Sequence, residues 1–146
     1  KDNAHVFYNL QIIQDADAAS FRSSDIGGMF QDKNYIFAQG KSVPNSDPAT
    51  LHDENGIILD KNHVYNAAQE VDPSSYQRLH CDYSIDKKHA YFYDKIVEGA
   101  DISTFKQLGR NGINKYARDK DHLYISGKVS TENPNTFTFE NQSCSN

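Results

Sequence analysis

A two-part pattern recurs from end to end of this chain and constrains its fold more than any other feature. Each copy opens on an Asp followed by an aromatic or apolar run. It closes on a short tail in which Ser or Thr, or a residue beside one, precedes an aromatic or Leu. The first copy opens at Asp2-Asn3-Ala4-His5-Val6-Phe7-Tyr8 and closes at Asp17-Ala18-Ala19-Ser20-Phe21. The second runs from Asp32-Lys33-Asn34-Tyr35-Ile36-Phe37 to Asp47-Pro48-Ala49-Thr50-Leu51, and the third from Asp60-Lys61-Asn62-His63-Val64-Tyr65 to Asp72-Pro73-Ser74-Ser75-Tyr76. The fourth, Asp86 to Leu108, is the most regular; the fifth extends from Asp119-Lys120-Asp121-His122-Leu123-Tyr124 to Asn133-Pro134-Asn135-Thr136-Phe137. Starts lie 30, 28, 26 and 33 residues apart, a period typical of chains assembled from stacked supersecondary units. The expected organisation is a single domain over 1–146, with copies at about 2–31, 32–59, 60–85, 86–118 and 119–140.

Each half of the pattern has a mechanical reading. Asp-x-Asn/Asp supplies side-chain acceptors to the following backbone N–H groups and makes a tight turn. The residues after it alternate with a period of two: Leu123 and Ile125 on one side, His122 and Tyr124 on the other. Gln39-Gly40 and Ser126-Gly127 supply a second turn, and Lys41-Ser42-Val43 and Lys95-Ile96-Val97 read as return strands. Met29-Phe30-Gln31 and Ile57-Ile58-Leu59 read as strands before the Asp. In the tails, Asp47 and Asp72 stand where an N-cap would, with Pro48 and Pro73 at the first helical position. The fold expected is mainly β (or α+β), each copy being a short antiparallel β-meander plus a single helical turn, with the tail aromatic in the core.

Composition removes several partner classes. Only 37% of the residues are hydrophobic, yet 9 Tyr and 8 Phe are present. That balance suits half-buried pleated surfaces better than disorder. The net charge is -5 with no basic cluster, so phosphate-rich nucleic acid is not an expected partner. No apolar run approaches the ~20 residues of a membrane span. A start at Lys1 without Met reads as a mature chain after loss of a signal peptide, or as a trimmed one. Cys81 and Cys144 are the only cysteines. In an oxidising compartment they would close a loop of about 60 residues, worth roughly 4 kcal/mol in the chain-entropy model. The alternative is two separate thiols; the disulfide is the reading adopted.

The stretches DKNYIFAQGKSV, DKNHVYNAAQEV, DKKHAYFYDKIVEGADISTF and ARDKDHLYISGKV resemble the DKNYY repeat family of bacterial proteins. With the N-terminal copy they cover nearly the whole chain. The first copy departs in lacking Lys after its Asp, and the fourth has Lys88 in place of Asn. The resemblance implies an exported or envelope-associated protein and assigns no activity. In size and general character the chain is also similar to periplasmic bacteriocin immunity proteins of the pesticin-muramidase type.

Candidate chemistry reduces to scaffolding at most positions. His5, His63, His89 and His122 occupy one repeat position, and such residues lie in rows rather than converging as metal ligands must, so no metal site is expected. His80 beside Cys81 lacks an orienting group and an oxyanion site. The Asp-x-Asn/Asp starts lack the Gly and bidentate Glu of a calcium loop. The glutamates Glu54, Glu70, Glu98, Glu132 and Glu140 sit in no catalytic motif. No enzyme and no cofactor is read from the sequence.

One segment breaks the rhythm. Gly109 to Arg118, GRNGINKYAR, is a longer connection bearing Arg110, Lys115 and Arg118 in an acidic protein. It reads either as a solvated loop or as a protruding basic loop for an acidic surface. Arg110, Asn111, Lys115, Tyr116 and Arg118 are the expected partner contacts, since Arg and Tyr are enriched at interface hot spots. The expected function is binding: a periplasmic monomer or weak dimer that neutralises a toxin or cell-wall hydrolase by direct contact. The alternative is a surface-exposed structural or adhesive repeat module.

Overall fold

The structure is a computed structural model that describes residues 1–65, 67, 71–138 and 144. Glu70, Glu140 and the tail from Asn141, apart from Cys144, lie outside the described residues. The chain is built of small antiparallel sheets, and no helix occurs among the described residues. It divides into two compact units, Lys1–Tyr65 and Asn66–Asn146.

In the first unit, β1 (Phe7–Tyr8) pairs with β2 (Gln11–Ile12). A four-stranded meander follows in the order β3 (Arg22–Ser23), β4 (Phe30–Gln31), β5 (Ile36–Ala38) and β6 (Lys41–Ser42). The unit ends on the pair β7 (His52–Glu54) and β8 (Ile57–Leu59), with a bridge from Leu59 to Val64. The second unit holds two further meanders. One is β9 (Gln77–Arg78), β10 (Tyr83–Ile85), β11 (Ala90–Phe92) and β12 (Lys95–Ile96). The other is β13 (Lys106–Asn111), β14 (Asn114–Arg118), β15 (Leu123–Ile125) and β16 (Lys128–Val129).

The expected turns form where they were placed. Gln39-Gly40 and Ser126-Gly127 both take positive φ at their two positions, the geometry that matches the twist of the flanking strands. In copies two, four and five the strand after the Asp is buried on both faces rather than one: Ile36 and Phe37, Ala90 and Tyr91, and Leu123 and Tyr124 are all at most 2% exposed, whereas β1 in copy one is exposed. Alternation in the sequence therefore marks two different buried environments, one apolar and one lined by a carboxylate.

The tails depart from expectation. They are single hydrogen-bonded turns, not helical turns. Thr50 N–H donates to Asp47 C=O at 3.1 Å and Thr104 N–H to Asp101 C=O at 3.2 Å. The Asp side chains still cap these turns, as in Ala49 N–H to Asp47 Oδ1 at 3.0 Å. The chain then leaves at once into β7, β9 or β13, so the costly first turn has nothing to propagate into. Of the tail aromatics, Phe105 is buried with Tyr83, Val97 and Tyr124 in the core of the second unit.

Candidate functional site

The Asp that opens copies three, four and five is a buried four-donor hub. Asp86 Oδ1 accepts the N–H groups of Lys88 and His89, both at 2.7 Å. Its Oδ2 accepts the Tyr91 hydroxyl at 2.8 Å and the N–H of Asp72, in the preceding tail, at 2.9 Å. Asp60 takes the same set from Asn62, His63, Tyr65 and Asp47, and Asp119 from Asp121, His122, Tyr124 and Asp101. Burial alone would raise the pKa of Asp60, Asp86 and Asp119, but the converging donors outweigh it and each is held below the ordinary carboxylate range. The partner tyrosines move the other way. Burial and the adjacent carboxylate push Tyr65 and Tyr124 well above the usual phenol value.

Around each hub the next residue, Lys, closes the junction. Lys33 Nζ meets Asp17 at 2.7 Å and Lys61 Nζ meets Asp47 at 2.6 Å; Lys87 and Asp72, and Lys120 and Asp101, pair likewise. The Lys N–H groups donate to Ser20, Thr50, Ser75 and Thr104 hydroxyls, each at 3.1 Å. The Asp, Lys and Ser or Thr of the repeat therefore clamp one copy's tail to the next copy's start. The histidines at the shared position join the same turn: His5, His63, His89 and His122 each donate a backbone N–H to their own Asp at 2.6–2.8 Å.

The sequence model of the DKNYY family matches residues 1–128. The chain belongs to the DKNYY family. No curated protein and no solved structure matches it. In this DKNYY protein the name-giving Asp and Lys residues hold one copy's tail to the next copy's start.

The irregular segment after copy four is not a loop. It is the β13–β14 hairpin, the longest strand pair among the described residues, with a bulge between Gln107 and Gly109. The expected contacts split between its faces. Arg110 and Lys115 are cross-strand partners and so share one face. Arg118 and Tyr116 belong to the other, by the alternation of the strand. Tyr116 is buried and stacks on Phe137 with centroids 5.4 Å apart. Arg118 Nη1 donates to the Pro134 carbonyl at 2.9 Å. That bond repeats one in the first copy, where Lys1 Nζ donates to the Ala18 carbonyl at 2.9 Å. Lys115 lies 3.5 Å from Asp82 and is 21% exposed. Asn111 is exposed at the tip, and the Arg110 Nε is buried with no acceptor.

Two exposed apolar features escaped the sequence. Ile113, in the two-residue turn with Gly112, is 90% exposed. Its one available signal was an isolated apolar residue directly behind an Asn-Gly turn. In the first unit Phe7, Tyr8, Leu10, Ile12 and Phe30 are all exposed. There an apolar slot of about 60 Å³ opens among Phe7, Tyr8, Phe21, Phe30, Phe37 and Gly40. A wider cavity of about 200 Å³ adjoins it at Tyr8, Gln11, Ile12, Gln39 and Lys41.

Cys81 and Cys144 form a disulfide, with Cα atoms 5.4 Å apart, that links β9–β10 to the C-terminal tail. No helix among the described residues is long and apolar enough to cross a membrane. No group of three or more metal-ligating side chains converges among them.

Proposed function

We propose that this DKNYY protein is a non-catalytic periplasmic binding module that neutralises a toxin or cell-wall hydrolase by inserting the β13–β14 hairpin into an acidic cleft. The observation that carries the reading is the composition of that tip. Ile113 is almost fully exposed at the turn, and the Arg110–Lys115 pair stands one step behind it on a single face. An apolar tip backed by cations suits a cleft lined by carboxylates, where desolvated Arg and apolar anchors supply most interface energy. A hairpin held by a long ladder presents them at low ordering cost. Tyr116 and Arg118 belong to the support of that hairpin, because one is core and the other ties β14 to the last tail.

Binding of the purified protein to a peptidoglycan muramidase, or to the bacteriocin encoded beside its gene, is measured by calorimetry against Ile113→Asp and Arg110→Ala variants. Each is expected to lose about tenfold or more in affinity, a 1.4 kcal/mol step, with the fold intact. Unchanged affinity in both variants removes the hairpin assignment; no binding to either enzyme class removes the inhibitor reading.

A further inference from the structure

Two Asn-Gly pairs occur in the chain, Asn55-Gly56 and Asn111-Gly112, and each stands exposed at the tip of a β-hairpin. Such a pair is the least hindered setting for one reaction of the polypeptide itself, because glycine brings no side chain against its own amide nitrogen. In that reaction the glycine nitrogen loses its proton and attacks the side-chain carbonyl of the asparagine before it. What each hairpin does with the glycine N–H therefore decides whether its asparagine lasts.

In the first unit that N–H is held. Asn55 and Gly56 are the turn residues between β7 and β8, both at positive φ, and the Gly56 N–H donates to Asp53 Oδ1 at 2.8 Å. Attack on Asn55 has to break this bond and raise an anion on nitrogen beside the Asp53 carboxylate, with Glu54 next in the chain. In the second unit the turn is shifted by one residue. Gly112 and Ile113 form it, with positive φ at Gly112 and not at Ile113, and Asn111 is the last residue of β13, paired with Asn114. The Gly112 N–H has no hydrogen-bond partner among the described residues. Space is open there too, since a Cβ built on Gly112 meets nothing within 4 Å. Charge differs as well. The residues flanking this tip are Arg110 and Lys115, whose cations favour the anion on the Gly112 nitrogen and the oxyanion that follows it.

We infer that Asn111 is a site of spontaneous modification, converted to aspartate and isoaspartate by its own backbone, and that Asp53 protects Asn55 from the same fate. The Gly112 nitrogen gives up its proton to a base and forms a bond to Asn111 Cγ. The Cγ–Nδ2 bond breaks, and Nδ2 leaves as ammonia with a proton returned to it. The cyclic imide then takes up a water. Addition at Cγ reopens the ring to aspartate in the ordinary chain, and addition at the Asn111 main-chain carbonyl carbon leaves the chain running through the side chain, as isoaspartate. The sum is a water consumed and an ammonia released, with nothing oxidised or reduced. Either product puts a carboxylate between the Arg110–Lys115 pair and Ile113. The consequence for binding rests on the reading of this hairpin as the arm that enters an acidic cleft: a new anion there meets like charge and weakens the complex. Isoaspartate also lengthens the backbone at the Asn111–Asn114 pair, which displaces Ile113. Each molecule thus carries a binding arm of limited lifetime, beside a second hairpin of the same dipeptide that is kept intact.

The full chain is incubated at mildly alkaline pH, and the peptides containing Asn111 and Asn55 are followed by mass spectrometry with fragmentation that distinguishes isoaspartate. Asn111 is expected to convert about tenfold or more faster than Asn55, the rate ratio set by a charge-assisted hydrogen bond that only Gly56 has to break. In urea the two rates should converge, since both dipeptides are then equally free. Asp53→Ala should release the Gly56 N–H and speed Asn55 in the folded chain while leaving Asn111 unchanged. Asn111→Asp should lower affinity for the muramidase or bacteriocin by about tenfold. Equal rates in the folded chain, an Asn55 that stays slow in Asp53→Ala, or an Asn111 that converts only in urea overturns the site. Unchanged affinity of Asn111→Asp for a partner that the wild type binds overturns its consequence. A wild type that binds neither enzyme removes the inhibitor reading alone, because the peptide map needs no partner.

Discussion

The junction of copies one and two and that of copies four and five use the same positions, yet one is closed and the other open. In the second unit Tyr83, Phe105, Ala117 and Tyr124 make a continuous buried cluster. The first unit has Phe21 and Phe37 at the matching places, 5.2 Å apart, as Phe105 and Tyr124 are 5.7 Å apart. What differs is the hydroxyl chemistry and one strand. Tyr124 donates to Asp119, whereas Phe37 has no hydroxyl to offer Asp32, which among the described residues accepts backbone donors from Asn34, Tyr35 and Asp17. Burial in the second unit also pushes the Tyr83 phenol up to about 12, so the ring enters its slot as a neutral donor at any physiological pH. In the second unit the junction is therefore closed by a ring and a strand that precede Asp86, whereas the slot in the first unit stays open among the described residues.

The sharpest way to break the contrast is Tyr83→Ala. It removes a fully buried ring and turns the closed junction into an open one, at an expected cost of about 3–5 kcal/mol by urea unfolding. Added p-cresol should restore part of the loss by occupying the hole, and a variant that neither loses stability nor responds to p-cresol would mean the two junctions are not equivalent. A smaller effect comes from exchanging hydroxyls. Tyr124→Phe should cost about 1–2 kcal/mol, since Asp119 stays buried with one donor fewer, while Phe37→Tyr should recover a fraction of that in the first unit. Loss in both variants would show that the Asp32 pocket has no room for the hydroxyl.

Acid should act on the second unit through its tails, and least of all. Asp72 and Asp101 are drawn down to about 2, foremost by their Lys partners and then by Ser74 and Ser103. A carboxyl whose folded pKa lies below its unfolded value near 3.8 stabilises fully above that value and loses its contribution as pH falls toward 2. Thermal midpoints should thus be flat above about pH 5 and fall between about pH 4 and 2. These tails are solvent-facing, so added salt should blunt the Lys share of the effect. A midpoint that declines already between pH 7 and 5 would point to another group.

Much of the scaffold was legible because its cause is local. The Asp-x-Asn turns, the Gly40 and Gly127 hairpins and the strands around them all follow from residues within a few positions of one another, so sequence spacing encodes them directly. The reading of helical turns failed for the opposite reason. Asp47-Pro48 starts a helix as well as a single turn does, and what stops it is the next copy, which takes the Asp47 N–H and the Thr50 hydroxyl for its own Asp60 and Lys61. The hairpin at Gly109–Arg118 was read as a loop because Gly, Asn and Arg obscure a strand pattern that pairing with β15 enforces. Its five expected contacts were one cluster in sequence but divide between two faces, because side chains alternate along a strand.

By itself the sequence determined the repeat, its family and the turn chemistry of each Asp, and it left the two cysteines as an expected pair. Tertiary structure alone decided that the Asp of copies three to five is a buried hub joining successive copies, that Tyr116 is buried and Arg118 bonded to the Pro134 carbonyl, and that Ile113 is exposed. The reason is one of range. Turns depend on neighbours in the chain, whereas a carboxylate's fourth donor and an aromatic slot are assembled from residues a full repeat apart, whose meeting no local pattern records.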